Sequence, residues 1–391
     1  VRKLFAAETP EFFLLLGTTL FLVAFGLVMV LSSSSIESRL SDGDFFAQAS
    51  RQGLFALVGV PLMLLASRTP ISFWRRWAWH AIALGLVLQL LVFTPLGWGN
   101  GYNTNWVRLG SFTLQPSEFI KLALVIWLAW VLTTKNHLLQ DWKHVALPIF
   151  PVAGLAMLLV LFGNDLGTVT ILFVIVLGAL FFAGVRMRVL LATVVAVALP
   201  AWAAISLSES RSGRFEAWLA GCDPDKISPL IYDLHCWQSV NGWEALAHGG
   251  VFGVGLGNSA GKWSWVPAAD NDFIFAIIGE ELGLVGAVIV LALFVVLAVA
   301  LIRIFRMVRD RFARVATSVV LVWIIGQALV NIAVVLGVLP VLGVPLPLVS
   351  AGGSALVTSL VGIGIVLSFA RHRPHSLADD VPVVRSTRIV E

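Results

Sequence analysis

The chain has 391 residues, of which 59% are hydrophobic and only 12% charged, with a formal net charge of +4. Mean hydropathy is +0.93, and long apolar runs are broken only by short polar stretches, which excludes a soluble fold. The pI of 9.4 does not point to nucleic acid, because the cations gather on one side of the predicted spans, where anionic membrane lipids are the natural partner.

Apolar windows of about 17 to 25 residues predict ten spans, near 12–32, 52–67, 77–95, 117–134, 146–162, 167–184, 189–207, 273–302, 315–338 and 354–370. The first is long, rich in Gly and Phe, and followed by no small-residue cleavage site, so it is expected to be retained rather than removed as a signal. With both termini cytoplasmic, the inner segments hold 18 of the 26 Lys and Arg residues, as the positive-inside rule requires. The expected fold class is an all-α polytopic membrane protein of about ten transmembrane helices. Residues 1–370 form one membrane domain, with a large external loop over 208–271 between spans seven and eight. Residues 371–391 lack apolar periodicity and read as a flexible cytoplasmic tail. No internal repeat is evident, so the inverted-repeat mark of many transporters is missing.

In chain order, the first polar candidate is Arg108 in "NWVRLGSFTL", an external residue that serves equally as a simple interface anchor. "LQPSEFIKLAL" opens the fourth span with Pro116 and puts Glu118 and Lys121 three residues apart on one helical face. They either neutralise each other or form one wall of an outward-facing cavity. "FGNDLGTVT" sets Asp165 between two spans at the same outer level. In the large loop, Arg211 and Arg214 stand at helical spacing and Lys262 follows in "GNSAGKWSWVP". Such cations suit a diphosphate, the alternative being a solvated helix face. Cys222 and Cys236 lie in the same loop, where an oxidising exterior favours a disulfide; closing so short a loop contributes on the order of 3 kcal/mol.

"PAADNDFIFAIIGEELG" then gathers Asp270, Asp272, Glu280 and Glu281 where the eighth span begins. Asp272 stands at the mouth of that helix, at headgroup depth. Glu280 and Glu281 lie about 12 Å further along the helix and are expected to hold other spans. Finally "VLGVPLPLVSAGGSALV" is too broken by Pro and Gly to span. Its residues Ser350, Gly352, Gly353 and Ser354 are expected to offer backbone amides to an anion at the start of the tenth span.

Together, "QPSEFIKL", the Asp of "NDLGT", "GGVFGVGLGNSAGKWSWVP", "NDFIFAIIGEELG" and "PLVSAGGS" resemble the SEDS family (shape, elongation, division and sporulation) over nearly all ten spans. Within it, "MVLSSSS", "PLVSAGGS" and "LSFARHRP" are closer to the cell-division members than to the elongation members. The resemblance implies a bacterial multi-pass protein of the inner (cytoplasmic) membrane that polymerises lipid II on the outer face. It would join disaccharide-pentapeptide units by β-1,4 bonds and release undecaprenyl diphosphate. It places the family's essential acid on Asp272 and its other sensitive polar positions on Glu118, Lys121 and Asp165. Where the family often has Glu-Ala-His, this chain has Ala268, Ala269 and Asp270. A class B penicillin-binding protein, with its transpeptidase domain, is the implied partner, alongside other divisome proteins. A lipid flippase or a pure scaffold are the competing classes. No cofactor is specified; clustered external acids would suit a divalent Mg or Mn ion, but no spacing here defines such a site.

Overall fold

The computed structural model describes residues 8–100, 103–110, 112–135, 142–263 and 266–371. Its first helices are α1 (Pro10–Asp42), α2 (Ala47–Ala66) and α3 (Ile71–Leu90), followed by three short strands, β1 (Gly97–Asn100), β2 (Asn103–Leu109) and β3 (Phe112–Leu114). Then come α4 (Pro116–Thr134), α5 (Trp142–Phe162), α6 (Leu166–Phe182) and α7 (Met187–Ser206). The large loop carries α8 (Glu209–Leu219), α9 (Pro229–His235) and α10 (Trp237–Gly249), and the chain closes with α11 (Ile274–Met307), α12 (Arg311–Val335) and α13 (Gly353–Ala370).

Seven of these helices are long and apolar enough to cross a membrane, and α5, α6 and α7 contain shorter apolar segments. These ten coincide with the ten predicted spans. The helical architecture therefore matches the sequence reading, with one addition: the stretch expected to be a plain external loop around Arg108 is a three-stranded antiparallel sheet in the order β1-β2-β3. The 372–391 stretch of the predicted tail lies outside the described residues.

Helices in lipid gain little from hydrophobic burial against one another, so close backbone approach and van der Waals packing decide which of them meet. The α2–α13 pair shows this. Gln52, Ala56, Gly59, Met63 and Ala66 form the buried stripe of α2, and a Cβ at Gly364 of α13 would collide with the Met63 carbonyl. Most of the apolar window is buried in α4 (72%) and α13 (78%), against 28% in α2 and α3, so the first two form the centre and the latter the lipid-facing rim.

α11 is broken near its start. Gly283 has φ 68° and ψ −168°, outside helical space. The interrupted ladder is completed by the Gly-rich stretch after α10: Leu284 and Val285 N–H donate to the carbonyls of Gly250 and Val251, while Val254 and Gly255 N–H donate to Glu280 and Glu281. The motif "GGVFGVGLG" is thus a wedge that satisfies the backbone groups a kink leaves open.

The side chains of the same two glutamates hold the following turn. Glu280 accepts from Ala260 N–H (3.0 Å), Gly261 N–H (3.2 Å), the Ser259 hydroxyl and His248 Nδ1. Glu281 accepts from Ser32 of α1 at 2.6 Å and lies 3.7 Å from Lys262 Nζ. Their expected role in holding the bundle is fulfilled through loop 250–262 rather than mainly through other spans.

Candidate active site

A cavity of about 420 Å³ opens at the end of the bundle where α11 begins. Three non-helical stretches converge on it: the α5–α6 turn with Asn164 and Asp165, the approach to α11 with Asn271 and Asp272, and the broken segment 340–352. Arg211 and Arg214 line it from α8, and Trp106 from β2.

Irregular backbone at this depth requires internal partners, and side-chain carboxamides supply them. Asn331 of α12 donates to the carbonyls of Asp272 (2.8 Å) and Val344 (2.7 Å). Gln327 donates to Pro345 O, and Gln52 of α2 donates to Ser350 O while accepting from Gly352 N–H. Single amides on apolar helices gave no pattern to read, so the sequence did not single out Gln52, Gln327 or Asn331. Gln115 and Asn164 were missed in the same way. Gln115 Nε2 donates to Asp165, and Asn164 Oδ1 accepts from Arg211 Nη2 at 3.0 Å.

The three acids at this end differ in what they already hold. Asp165 is the N-cap of α6, accepting from Thr168 N–H at 2.8 Å, from the Thr168 hydroxyl at 2.7 Å and from Gln115. Burial raises its pKa against those hydrogen bonds. Asp270 lies outside the cavity lining and accepts from Gln48 Nε2. Burial first and Glu37 second push it to about 6. Asp272 lines the cavity with its Oδ1 lacking any hydrogen-bond partner. Burial, then Asp165 and Asp270, raise it to about 7, with Arg214 opposing the rise. A carboxylate ionising near neutrality in the wall of a cavity is equipped to accept a proton there.

Several predicted residues lie elsewhere. Glu118 and Lys121 do not wall the cavity; they form a buried ion pair at 2.6 Å, with Lys121 also donating to Gln327 at 3.1 Å. Burial within the bundle enforces that pairing, since either charge alone would be costly in lipid. Lys262 is also absent from the cavity, because its ammonium donates to Gly257 O and faces Glu281. Arg108 is exposed on β2 and donates to Gly110 O. The first three amides of the 350–354 stretch are already engaged: Ser350 N–H donates to Leu346 O, Ala351 N–H to Asp270 O and Gly352 N–H to Gln52. The Ser350 hydroxyl donates to Asn271 O, which fixes the turn next to Asp272. Gly352 and Ser354 line the cavity, whereas Gly353 is packed against the Phe55 ring. Among the described residues no three His, Cys, Asp or Glu side chains converge as metal ligands.

Cys222 and Cys236 are bonded. The bridge joins the turn after α8 to the α9–α10 junction, in a small core with Ala217 and Ile227. Trp218 Nε1 donates to Gly337 O and Trp243 Nε1 to Val335 O, so the large loop is bolted to the end of α12 with α8 over the cavity.

The sequence profile of the FtsW, RodA and SpoVE cell cycle proteins matches residues 13–375. The chain belongs to this family. Among SEDS relatives, it is 37% identical over 369 residues to the probable peptidoglycan glycosyltransferase FtsW of Mycobacterium tuberculosis, covering 94% of this chain and 69% of that one. It is 33% identical to the stage V sporulation protein E of Bacillus subtilis, over 93% and 98% of the two chains. Its fold matches a solved chain of a peptidoglycan synthase complex that coordinates polymerization and crosslinking, with a TM-score of 0.73, 26% identity and coverage of 91% and 96%. The rod shape determining protein RodA of Thermus thermophilus has the same fold, with a TM-score of 0.68, 24% identity and coverage of 94% and 98%.

Proposed function

We propose that this SEDS protein is a peptidoglycan glycosyltransferase of the division type, with Asp272 as its general base. The observation that carries the reading is the pairing, across one cavity, of an unpartnered carboxylate ionising near pH 7 with the two guanidinium groups of Arg211 and Arg214. The 4-hydroxyl of one lipid II disaccharide gives its proton to Asp272 while its oxygen attacks the anomeric carbon of another unit. The anomeric C–O bond to the diphosphate breaks with inversion, forming the β-1,4 link. The charge left on undecaprenyl diphosphate meets Arg211 and Arg214, whose forked donors match phosphate oxygens.

The cavity end then faces the outside of the cytoplasmic membrane, and both termini face the cytoplasm. The cation-rich turns at the far end of the bundle support this, with Arg75 paired to Asp310 and Arg371 to Glu8. Residues 1–370 act as one membrane domain, with the insertion as the roof of the site. A class B penicillin-binding protein is the fitting partner, since the related solved chain comes from a complex that both polymerizes and crosslinks. Names of relatives support the septal role.

Purified protein reconstituted with lipid II is expected to yield glycan strands and free undecaprenyl diphosphate. Transfer of lipid II across vesicle bilayers without any polymer would replace this reading with a flippase.

A further inference from the structure

The small sheet that the sequence did not announce stands beside the cavity, and its two faces differ. Along β2, Asn105 and Val107 are buried, whereas Thr104 and Arg108 are exposed and Trp106 lines the cavity. Trp98 of β1 is directly opposite Trp106, and Thr113 of β3 directly opposite Arg108. Opposed residues of antiparallel strands share a face. One face of the sheet therefore carries two indoles, two threonine hydroxyls and a guanidinium, with Trp98 42% exposed.

We propose that this face is a binding platform for the glycan strand, with the Trp106 indole stacking on a sugar ring at the mouth of the cavity. The proposal rests on the glycosyl-transfer reading and deepens it. A pyranose offers an apolar C–H face and a rim of hydroxyls, and the sheet presents the complementary pair: flat aromatic surface beside hydrogen-bonding groups. An interfacial lipid anchor would draw on the same Trp and Arg side chains. Continuity decides between the two, because Trp106 belongs both to the sheet face and to the wall that also holds Asp165 and Asp272.

The platform is also held in register with the site. Thr104 N–H donates to Gly163 O at 3.2 Å, tying β2 to the turn that carries Asn164 and Asp165. Arg108 N–H donates to Leu96 O, and its Nε to Gly110 O, which keeps the guanidinium along the sheet. A β-1,4-linked aminosugar chain lying across Trp98 and Trp106 would have its end directed into the cavity.

The test compares wild type, Trp106→Ala, Trp106→Phe and Trp98→Ala by two readouts. One is binding of a soluble β-1,4 N-acetylglucosamine tetramer, by saturation-transfer difference NMR on the solubilised protein. The other is KM, kcat and strand length with lipid II. Trp106→Ala should bind the tetramer roughly 10-fold more weakly, the upper end of the scale of a single aromatic contact. It should also raise KM by a similar factor and shorten the strands, with the pH profile of kcat unchanged. Trp106→Phe should restore most of the loss, and Trp98→Ala, which leaves the cavity intact, should shorten strands at near-normal KM. If wild type binds the tetramer but forms no polymer, the enzyme reading fails and the platform stands. If wild type polymerises and both alanine variants match it in tetramer binding and strand length, the platform is refuted. It is equally refuted if those variants change only incorporation into vesicles, which would make the indoles bilayer anchors.

Discussion

Replacing Asp272 by Asn keeps the side chain's shape and removes its capacity to accept a proton. General-base catalysis is worth roughly 100- to 10,000-fold, so polymerisation should fall by at least about 100-fold. The structure adds a pH signature. With the Asp272 carboxyl raised to about 7 by burial and by its acidic neighbours, the wild-type rate should climb with pH up to about 7 and then level. At pH 5 only about 1% of the base would be ionised, so the rate there should be roughly 100-fold below the plateau. Stability must run the other way. A carboxyl whose folded pKa lies above its unfolded value contributes stability that is fully present below about pH 4 and is lost as pH rises through about 7. Asn mimics the protonated form, so Asp272→Asn should lose activity while its stability falls less than that of wild type between pH 5 and pH 8. Initial rates and thermal unfolding across that range measure both arms. Near-normal polymerisation by the variant would remove Asp272 from the base role. So would an activity loss accompanied by a lower unfolding temperature at every pH, which would mark the carboxylate as structural.

Three further outcomes follow from named contacts. Arg214→Gln removes the cation that opposes the rise at Asp272, so the ascending limb of the pH–rate profile should move to higher pH; a limb that stays in place refutes that coupling. Asn331→Leu leaves the carbonyls of Asp272 and Val344 without their donor, which should cost about 2 to 4 kcal/mol, read as a lower unfolding temperature together with reduced turnover. Lys121→Met leaves Glu118 buried opposite an apolar side chain and should cost about 3 to 5 kcal/mol; the double variant with Glu118→Gln should recover much of that in the same unfolding assay, and no recovery would mean the pair is not what holds α4.

The apolar windows located the ten apolar helices found among the described residues, because lipid forces helices to declare themselves as long runs without charge. They could not report β1–β3, since three strands of seven residues or fewer carry too little periodicity to stand out from a polar loop. At the site, the acids and arginines were legible because an ionisable residue near lipid is a rare event. Lys121, Glu118 and Lys262 were equally rare, yet each closes on a partner inside the protein. Spacing alone does not tell an ion pair from a binding group, because what matters is whether a second charge reaches the first in three dimensions. Neutral amides such as Asn331 and Gln52 were invisible for the opposite reason: on a helix they look like ordinary tolerated polarity.

Those amides also explain why one acid among three is left available. The site is built from broken backbone, and every open carbonyl or N–H at that depth needs a partner. Had Lys or Arg side chains supplied the partners, their charges would have stabilised Asp272 as a carboxylate and drawn its pKa down. The fold instead uses Asn331, Gln327 and Gln52, which satisfy hydrogen bonds without adding net charge. Asp165 is occupied in capping α6, and Asp270 is engaged by Gln48. Asp272 lines the cavity and keeps one buried oxygen unpartnered, with Arg214 as the cation opposing its upward shift. Its proton affinity near neutrality follows from burial and from the nearby Asp165 and Asp270, and a change at Asn331, which holds the Asp272 carbonyl, should reach the chemistry without touching the carboxylate itself.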